Sequence, residues 1–234
     1  MPLTAAIEVR GVRFGYGGVP MLDGVDLTVE PSQFVVLTGP NGSGKSTLIK
    51  LIVGLLSPGA GRVLVGGHPA TDRRARRRIG YAPQASPGRM VLPVSVTEVV
   101  ESGLITGDAV LRRPSQEDRA LVAGALGSVG LTDLARECVF ELSGGQQQRA
   151  VIARALVGDR PVLLLDEPTT GIDRAFRPRV VDELRRRAAE GAAVVAVTHD
   201  PDDFHDVVNR ILFMEDGRVR DVSHDEFHAA EDTA

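Results

Sequence analysis

The sequence predicts an α/β fold built on a parallel sheet, and three observations carry that prediction. First, Phe34-Val35-Val36-Leu37-Thr38, Val162-Leu163-Leu164-Leu165 and residues 193–197 are almost continuously apolar. Strands covered on both faces read this way. Second, segments with helical apolar spacing separate these runs, which is the alternation of an α/β sheet. Third, the first thirty residues read differently. Val25, Leu27 and Val29 alternate with Asp26, Thr28 and Glu30, the pattern of a half-buried strand.

Taken in order, Ile7, Val9 and Val12 to Phe14 carry strand-like residues and join Val25 to Val29 in an antiparallel layer. Residues 45–56 read as a helix with Leu48, Leu51, Ile52 and Leu55 on one face, closed by Ser57-Pro58-Gly59-Ala60-Gly61. Residues 62–65 and 78–82 are two short strands. From Gln84 to about Leu134 the character changes to Pro-, Ser- and Gly-rich, then to helical patterns at 96–103 and 116–129. This reads as a helical subdomain inserted in the core, spanning about residues 85–157 of one domain formed by residues 1–234. Ser143 is the expected N-cap of a helix reaching Val157. Residues 174–190 form an amphipathic helix with an arginine-rich outer face. Residues 210–214 and 218–222 close the sheet, and the chain after about Ala229 is a polar tail.

Composition narrows the function classes. The 234 residues suffice for one large domain with a sizeable core. A net charge of −4 gives no global pull toward nucleic acid, and no nucleic-acid partner is expected. One basic cluster, Arg73-Arg74-Ala75-Arg76-Arg77-Arg78, is either a solvated face or a polyanion site. Cys138 is the single cysteine, so no intramolecular disulfide forms, which fits a reducing compartment. It reads as a packing residue. No stretch approaches the ~20 apolar residues of a membrane span, and no secretion signal is visible. If the protein moves a solute across a membrane, another polypeptide supplies the path.

The run Gly39-Pro40-Asn41-Gly42-Ser43-Gly44-Lys45-Ser46 fits G-x-x-x-x-G-K-S after a strand and before a helix. Its glycines let backbone N–H groups turn inward around phosphates, and the following helix directs its positive end at them. Lys45 should reach the β and γ phosphates as a point charge. The Ser46 hydroxyl should ligate Mg²⁺, and Thr47 should support the α phosphate. Such loops alone serve many enzymes.

Leu142-Ser143-Gly144-Gly145-Gln146-Gln147-Gln148-Arg149 narrows the choice. The run resembles the signature of ATP-binding-cassette (ABC) ATPases, and the resemblance extends from about Ile7 to Val222 with all motifs in the family's order. It implies a P-loop NTPase core, ATP and Mg²⁺ as ligands, and ATP bound between two cassettes. The helix start at Ser143, Gly144, Gly145 and Gln146 is then a second anion site, facing the γ phosphate held by a partner cassette. Leu165-Asp166-Glu167-Pro168 matches the Walker B pattern: Asp166 holds Mg²⁺ or a water on it, and Glu167 is the general base. His199, after the strand at 193–197, matches the histidine that contacts the γ phosphate and orients the water. Gln84 in Tyr81-Ala82-Pro83-Gln84 matches the Q-loop glutamine that senses Mg²⁺ and the attacking water. Tyr16 stands where the family stacks an aromatic ring on adenine, with Phe14 as the alternative ring. Thr170-Gly171-Ile172-Asp173 resembles the D-loop along the dimer seam. Asp173 matches the usual Ser-Ala-Leu-Asp pattern, while Thr170 and Gly171 depart from it.

Within the family, the short gap between motifs excludes a coiled-coil repair ATPase, and a single cassette departs from the two-cassette translation proteins. The expected role is the energy-coupling subunit of a transporter, cytoplasmic and peripheral on the inner face of the membrane. Its partners would be a second cassette, an integral-membrane permease and, indirectly, an extracytoplasmic solute-binding protein. Leu92-Pro93-Val94-Ser95-Val96-Thr97-Glu98-Val99-Val100 after the Q-loop looks like the manganese/zinc-type importer cassettes. Divalent metal import is the expectation. Iron or siderophore import, another solute, an exporter and a soluble non-transport ATPase are the alternatives. Met90, Val91, Leu92 and Val94 are expected to dock a permease helix or to pack beneath the inserted helices.

Overall fold

The computed structural model describes residues 5–84, 93–105 and 113–223. Two sheets form. A four-stranded antiparallel layer has the order β2-β1-β4-β5, with β1 Ile7–Tyr16, β2 Val19–Val29, β4 Ala60–Val65 and β5 His68–Pro69. A six-stranded sheet has the order β10-β9-β3-β8-β7-β6. Its members are β3 Phe34–Thr38, β6 Ile79–Ala82, β7 Val162–Asp166, β8 Ala193–Val197, β9 Arg210–Glu215 and β10 Arg218–Val222. All its pairs are parallel except the edge hairpin β9–β10.

The apolar runs are central strands because both of their faces are covered. Phe34, Val36, Leu163, Leu165, Val194 and Ala196 point to one side and pack with the helices α3 Val96–Glu101, α4 Gln116–Ser128, α5 Gly144–Leu156 and α6 Arg177–Ala189. Val35, Leu37, Leu164, Val195 and Val197 point to the other, against α1 Lys45–Val53 and the antiparallel layer. The period-2 alternation of a strand thus divides one sheet between two cores. A short helix, α2 Arg73–Arg76, leads into β6. It carries part of the basic cluster, all of whose arginines are exposed, with Arg74 paired to Asp72 at 2.8 Å.

The expected helices at 96–103, 116–129 and 143–157 form as α3 with a following 3₁₀ turn, α4 and α5. Capping boxes begin all three: Ser95 with Glu98, Ser115 with Asp118, and Ser143 with Gln146. Two helix boundaries differ from the sequence reading by three residues, and the strand expected at 62–65 begins at Ala60. The first helix stops at Val53, because Gly54 at φ 76° closes it with its N–H on the Leu51 and Lys50 carbonyls. Leu55 therefore leaves the apolar face and is 64% exposed. The amphipathic helix begins at Arg177 rather than Arg174, since a turn closed by Phe176 N–H on the Asp173 carbonyl (2.8 Å) precedes it and Pro178 occupies its first turn.

Cys138 packs beside Val94, its thiol 3.5 Å from that carbonyl. Val94 is half-buried against the helical core. Met90, Val91 and Leu92 lie outside the described residues, as does the C-terminal tail after Ser223. Among the described residues no helix is long and apolar enough to cross a membrane.

Candidate active site

Strands β3, β8, β7 and β6 are adjacent and parallel. Their carboxyl ends therefore share one edge, where open α/β sheets hold ligands. Each end delivers one motif: β3 the Gly-rich loop, β8 His199, β7 Asp166 and Glu167, and β6 Gln84. They meet around a cleft of about 220 Å³. Asn41, Gly42, Gly44, Lys45, Ser46 and Thr47 line it from the loop and α1, and Gln84, Asp166, Glu167 and His199 from the other strand ends.

The loop conformation depends on glycine where the chain passes its neighbours. Gly39 has φ 137°, and a Cβ there would lie 2.0 Å from the Met214 carbonyl oxygen. Lys45 curls beneath the loop, its Nζ donating to the carbonyls of Gly39 (2.6 Å) and Pro40 (2.8 Å). Burial holds its pKa below the ordinary lysine value, against the pull of the Glu167 and Asp166 carboxylates. A desolvated ammonium at a helix N-terminus is matched by an incoming polyphosphate. Ser43 is buried and its Oγ has no hydrogen-bond partner among the described residues. A phosphate-binding loop accounts for such a group, because a buried hydroxyl needs an acceptor or donor from its ligand.

Asp166 is buried, and burial raises its carboxyl pKa above the ordinary value. A hydrogen bond from Ser46 and the charges of Lys50, Lys45 and His199 pull the other way. Ser46, Asp166 and Gln84 thus bring hydroxyl, carboxylate and amide oxygens to one cleft. That all-oxygen donor set fits Mg²⁺ rather than a soft metal.

Glu167 is 5% exposed and sits at φ 54°, a left-handed conformation that costs a non-glycine residue energy. Its N–H donates to the Val197 carbonyl (2.9 Å), and its own carbonyl accepts from Gln148 Nε2 (3.2 Å). Its two carboxylate oxygens are held separately: Oε1 lies 3.0 Å from His199 Nε2, and Oε2 accepts from Thr170 Oγ1 at 2.9 Å.

Not every expected residue joins this cleft. Gly39 and Pro40 stand behind it as partners of Lys45. Tyr16 is 45% exposed at the end of β1, with Phe14 edge-on at 4.9 Å. Ser143, Gly144, Gly145, Gln146 and Asp173 do not line the cleft. The signature turn instead packs on the D-loop of its own chain. A Cβ on Gly145 would lie 2.4 Å from the Gly171 carbonyl oxygen.

Three contributors were given no role by the sequence reading. Met21 lines the cleft from β2. Gln148 lies on the buried face of α5 with Ile152 and Leu156, and a polar residue at that spacing was its available signal. Thr170 stood out only as a departure from the D-loop pattern.

A profile of the family described as ABC transporter matches residues 22–170, which include the loop, Gln84, the signature run, Asp166 and Glu167. The chain belongs to the ABC transporter family. Within that family it is an ATP-binding cassette with ATP hydrolase activity. It is 42% identical over 195 residues to the manganese transport system ATP-binding protein MntA of Synechocystis, covering 83% of this chain and 75% of that protein. It is 36% identical over 213 residues to the high-affinity zinc uptake system ATP-binding protein ZnuC of Bacillus subtilis, covering 90% and 91%. Among solved structures, the dimeric bacterial ABC transporter cassette MJ0796 superposes with a TM-score of 0.81 at 30% identity, covering 93% of this chain and 98% of that one.

Proposed function

We propose that this cassette is the ATPase subunit of a transporter that imports a divalent metal, zinc or manganese. The hydrolytic part of the reading rests on one observation: a buried carboxylate, Glu167, fixed at both oxygens at the rim of a phosphate-binding cleft. Lys45 and the backbone N–H groups of the loop Gly39 to Ser46, Pro40 having none, bind the β and γ phosphates of ATP. Thr47 supports the α phosphate, and Tyr16, or failing it Phe14, stacks on the adenine. Ser46, Asp166 and Gln84 hold Mg²⁺, which when bound neutralises charge on the phosphate oxygens. Glu167 takes the proton of the attacking water, worth typically ~10²–10⁴ in rate. His199 turns from Glu167 to the γ phosphate.

The signature residues Ser143, Gly144, Gly145 and Gln146, with Asp173 along the seam, complete the site of a second copy of this chain. Supporting this is their placement outside the cleft of their own chain, on a helix N-terminus with backbone N–H groups to offer an anion. Residues 1–234 serve as one ATP-binding domain. The cassette works as a peripheral protein on the inner face of the cell membrane, docked to an integral permease and supplied indirectly by an extracytoplasmic binding protein. The likeness to a manganese transport and a zinc uptake ATP-binding protein supports the choice of cargo.

The test is uptake of radioactive zinc and manganese by vesicles that hold the cassette and its permease, with ATP inside or outside. Expected is uptake of one of the two metals that requires ATP on the cassette side and stops with Glu167→Gln. ATP turnover with no response of either metal would overturn the cargo. Leu92→Asp should lower uptake far more than it lowers basal turnover of the isolated cassette, and unchanged uptake would remove the docking role.

A further inference from the structure

The reading of Glu167 as general base leaves a question of aim. A carboxylate that accepts a proton from one water must keep one oxygen free and its plane fixed. In the structure Oε1 is engaged by His199 and Oε2 by Thr170. These two holders differ in kind. His199 comes from another strand end, its side chain is 53% exposed, and it is the group that turns toward the phosphate. Thr170 lies three residues beyond Glu167 in the same turn, with its own N–H on the Glu167 carbonyl at 3.3 Å. Its hydroxyl is therefore tied to the backbone of the residue it serves. It stays in place when the imidazole leaves.

We propose that Thr170 is a positioning residue for hydrolysis: its Oγ1–H holds Glu167 Oε2 and leaves Oε1 as the proton acceptor. The surroundings support the assignment. Glu167 pays for a left-handed backbone that the Val197 and Gln148 hydrogen bonds maintain, so the main chain is already fixed and only the carboxylate torsions remain free. Gly145 packs against the carbonyl of Gly171, the next residue, which fixes the turn that carries the hydroxyl. Threonine is also β-branched, so its χ1 is restricted and the donor is pre-aimed. Positioning of this kind acts on the chemical step and leaves ground-state binding of ATP alone.

Steady-state ATP turnover of the purified cassette tests this with Thr170→Val, which keeps the shape and removes the donor, Thr170→Ala as a second donor-less variant, and Thr170→Ser. Expected is a fall in kcat of about tenfold for Val and Ala, the equivalent of one hydrogen bond to a charged group, with KM for ATP and the melting temperature little changed. Serine should recover most of the rate. In a Glu167→Gln background, Thr170→Val should cost nothing further, because the carboxylate it aims is gone. Wild-type kcat in the Val and Ala variants beside an inactive Glu167→Gln overturns the Thr170 role alone. A serine variant as slow as valine, or a loss confined to KM, overturns it too, and so does a further loss in the Glu167→Gln background. Near-normal turnover in Glu167→Gln itself overturns the general-base reading first.

Discussion

His199 Nε2 lies 3.0 Å from Glu167 Oε1, although the two residues belong to different strand ends. The sheet makes the contact. Asp166, the last residue of β7, is in register with Val197, the last residue of β8. One residue beyond the first is Glu167 and two beyond the second is His199. A parallel pair of strands thus brings an acid and an imidazole together from positions 32 residues apart in the chain. In the proposed general-base role of Glu167, the imidazole would cover the oxygen that the water reaches and would have to move for hydrolysis.

Glu167→Gln keeps the shape of the side chain, replaces one acceptor oxygen by an amide donor and removes its basicity. It should lower kcat by about 10²–10⁴ while ATP still binds. Because closure then no longer leads to cleavage, an ATP-bound dimer should accumulate. Turnover assays and size-exclusion chromatography with ATP read both effects. Substantial hydrolysis by the variant would remove Glu167 from the role.

Lesions in the Gly-rich loop and the signature turn can be distributed over two chains to ask which copy each serves. With a trans arrangement, mixing Ser143→Arg with Lys45→Ala gives heterodimers with one intact site and one doubly damaged site. Wild type mixed with a chain carrying both changes gives heterodimers with one lesion in each site. Turnover should be higher in the first heterodimer, isolated by two affinity tags. The opposite order would indicate that the signature acts on its own chain.

The fold was legible because its signals are local. Unbroken apolar runs marked the central strands, and serine caps marked three helix starts. The edges were less so: Leu55 kept the helical spacing, but Gly54 had already turned the chain. At the site, the residues in sequence-contiguous motifs were readable, and the structure brings Lys45, Ser46, Gln84, Asp166, Glu167 and His199 to one cleft. The support around them was not. The spacing of Gln148 on α5 marks it as buried but does not name its partner, and the Thr170 bond depends on the conformation of the turn after β7.

The two signature glycines should respond differently to a methyl group. At Gly144 a Cβ meets nothing within 4 Å among the described residues, whereas at Gly145 it meets the Gly171 carbonyl oxygen at 2.4 Å. Gly144→Ala should leave stability unchanged or raise it by about 0.5–1 kcal/mol, the helix preference of alanine over glycine. Gly145→Ala must displace the turn that carries Thr170 and should cost about 1–3 kcal/mol. It should also slow turnover by disturbing the hold on Glu167. Chemical denaturation of both variants decides it, and equal stability of the two would mean the turn yields freely.

Asp166 should cost the protein stability at neutral pH. Burial raises its carboxyl pKa above the ordinary 3.8, and the Ser46 hydrogen bond and nearby cations only partly offset this. The folded protein therefore keeps this proton to higher pH than the unfolded chain does. The sign follows: the contribution to stability is full below the unfolded pKa and is lost as pH rises through the folded one. Asp166→Asn retains an oxygen acceptor for Ser46 and removes the charge. Lys45 loses one attractive carboxylate but keeps Glu167, which pulls on it more strongly. We therefore expect the variant to bind Mg²⁺-ATP poorly and to melt higher than the unmodified protein at about pH 7, by about 2–4 °C if the relief is ~1 kcal/mol. The gap should shrink as pH falls from about 7 through the raised pKa of the folded carboxyl, where the unmodified side chain also takes up its proton. Melting curves without nucleotide across that range check it, and a variant that melts lower at neutral pH would show that the ion pairs around Asp166 outweigh its desolvation.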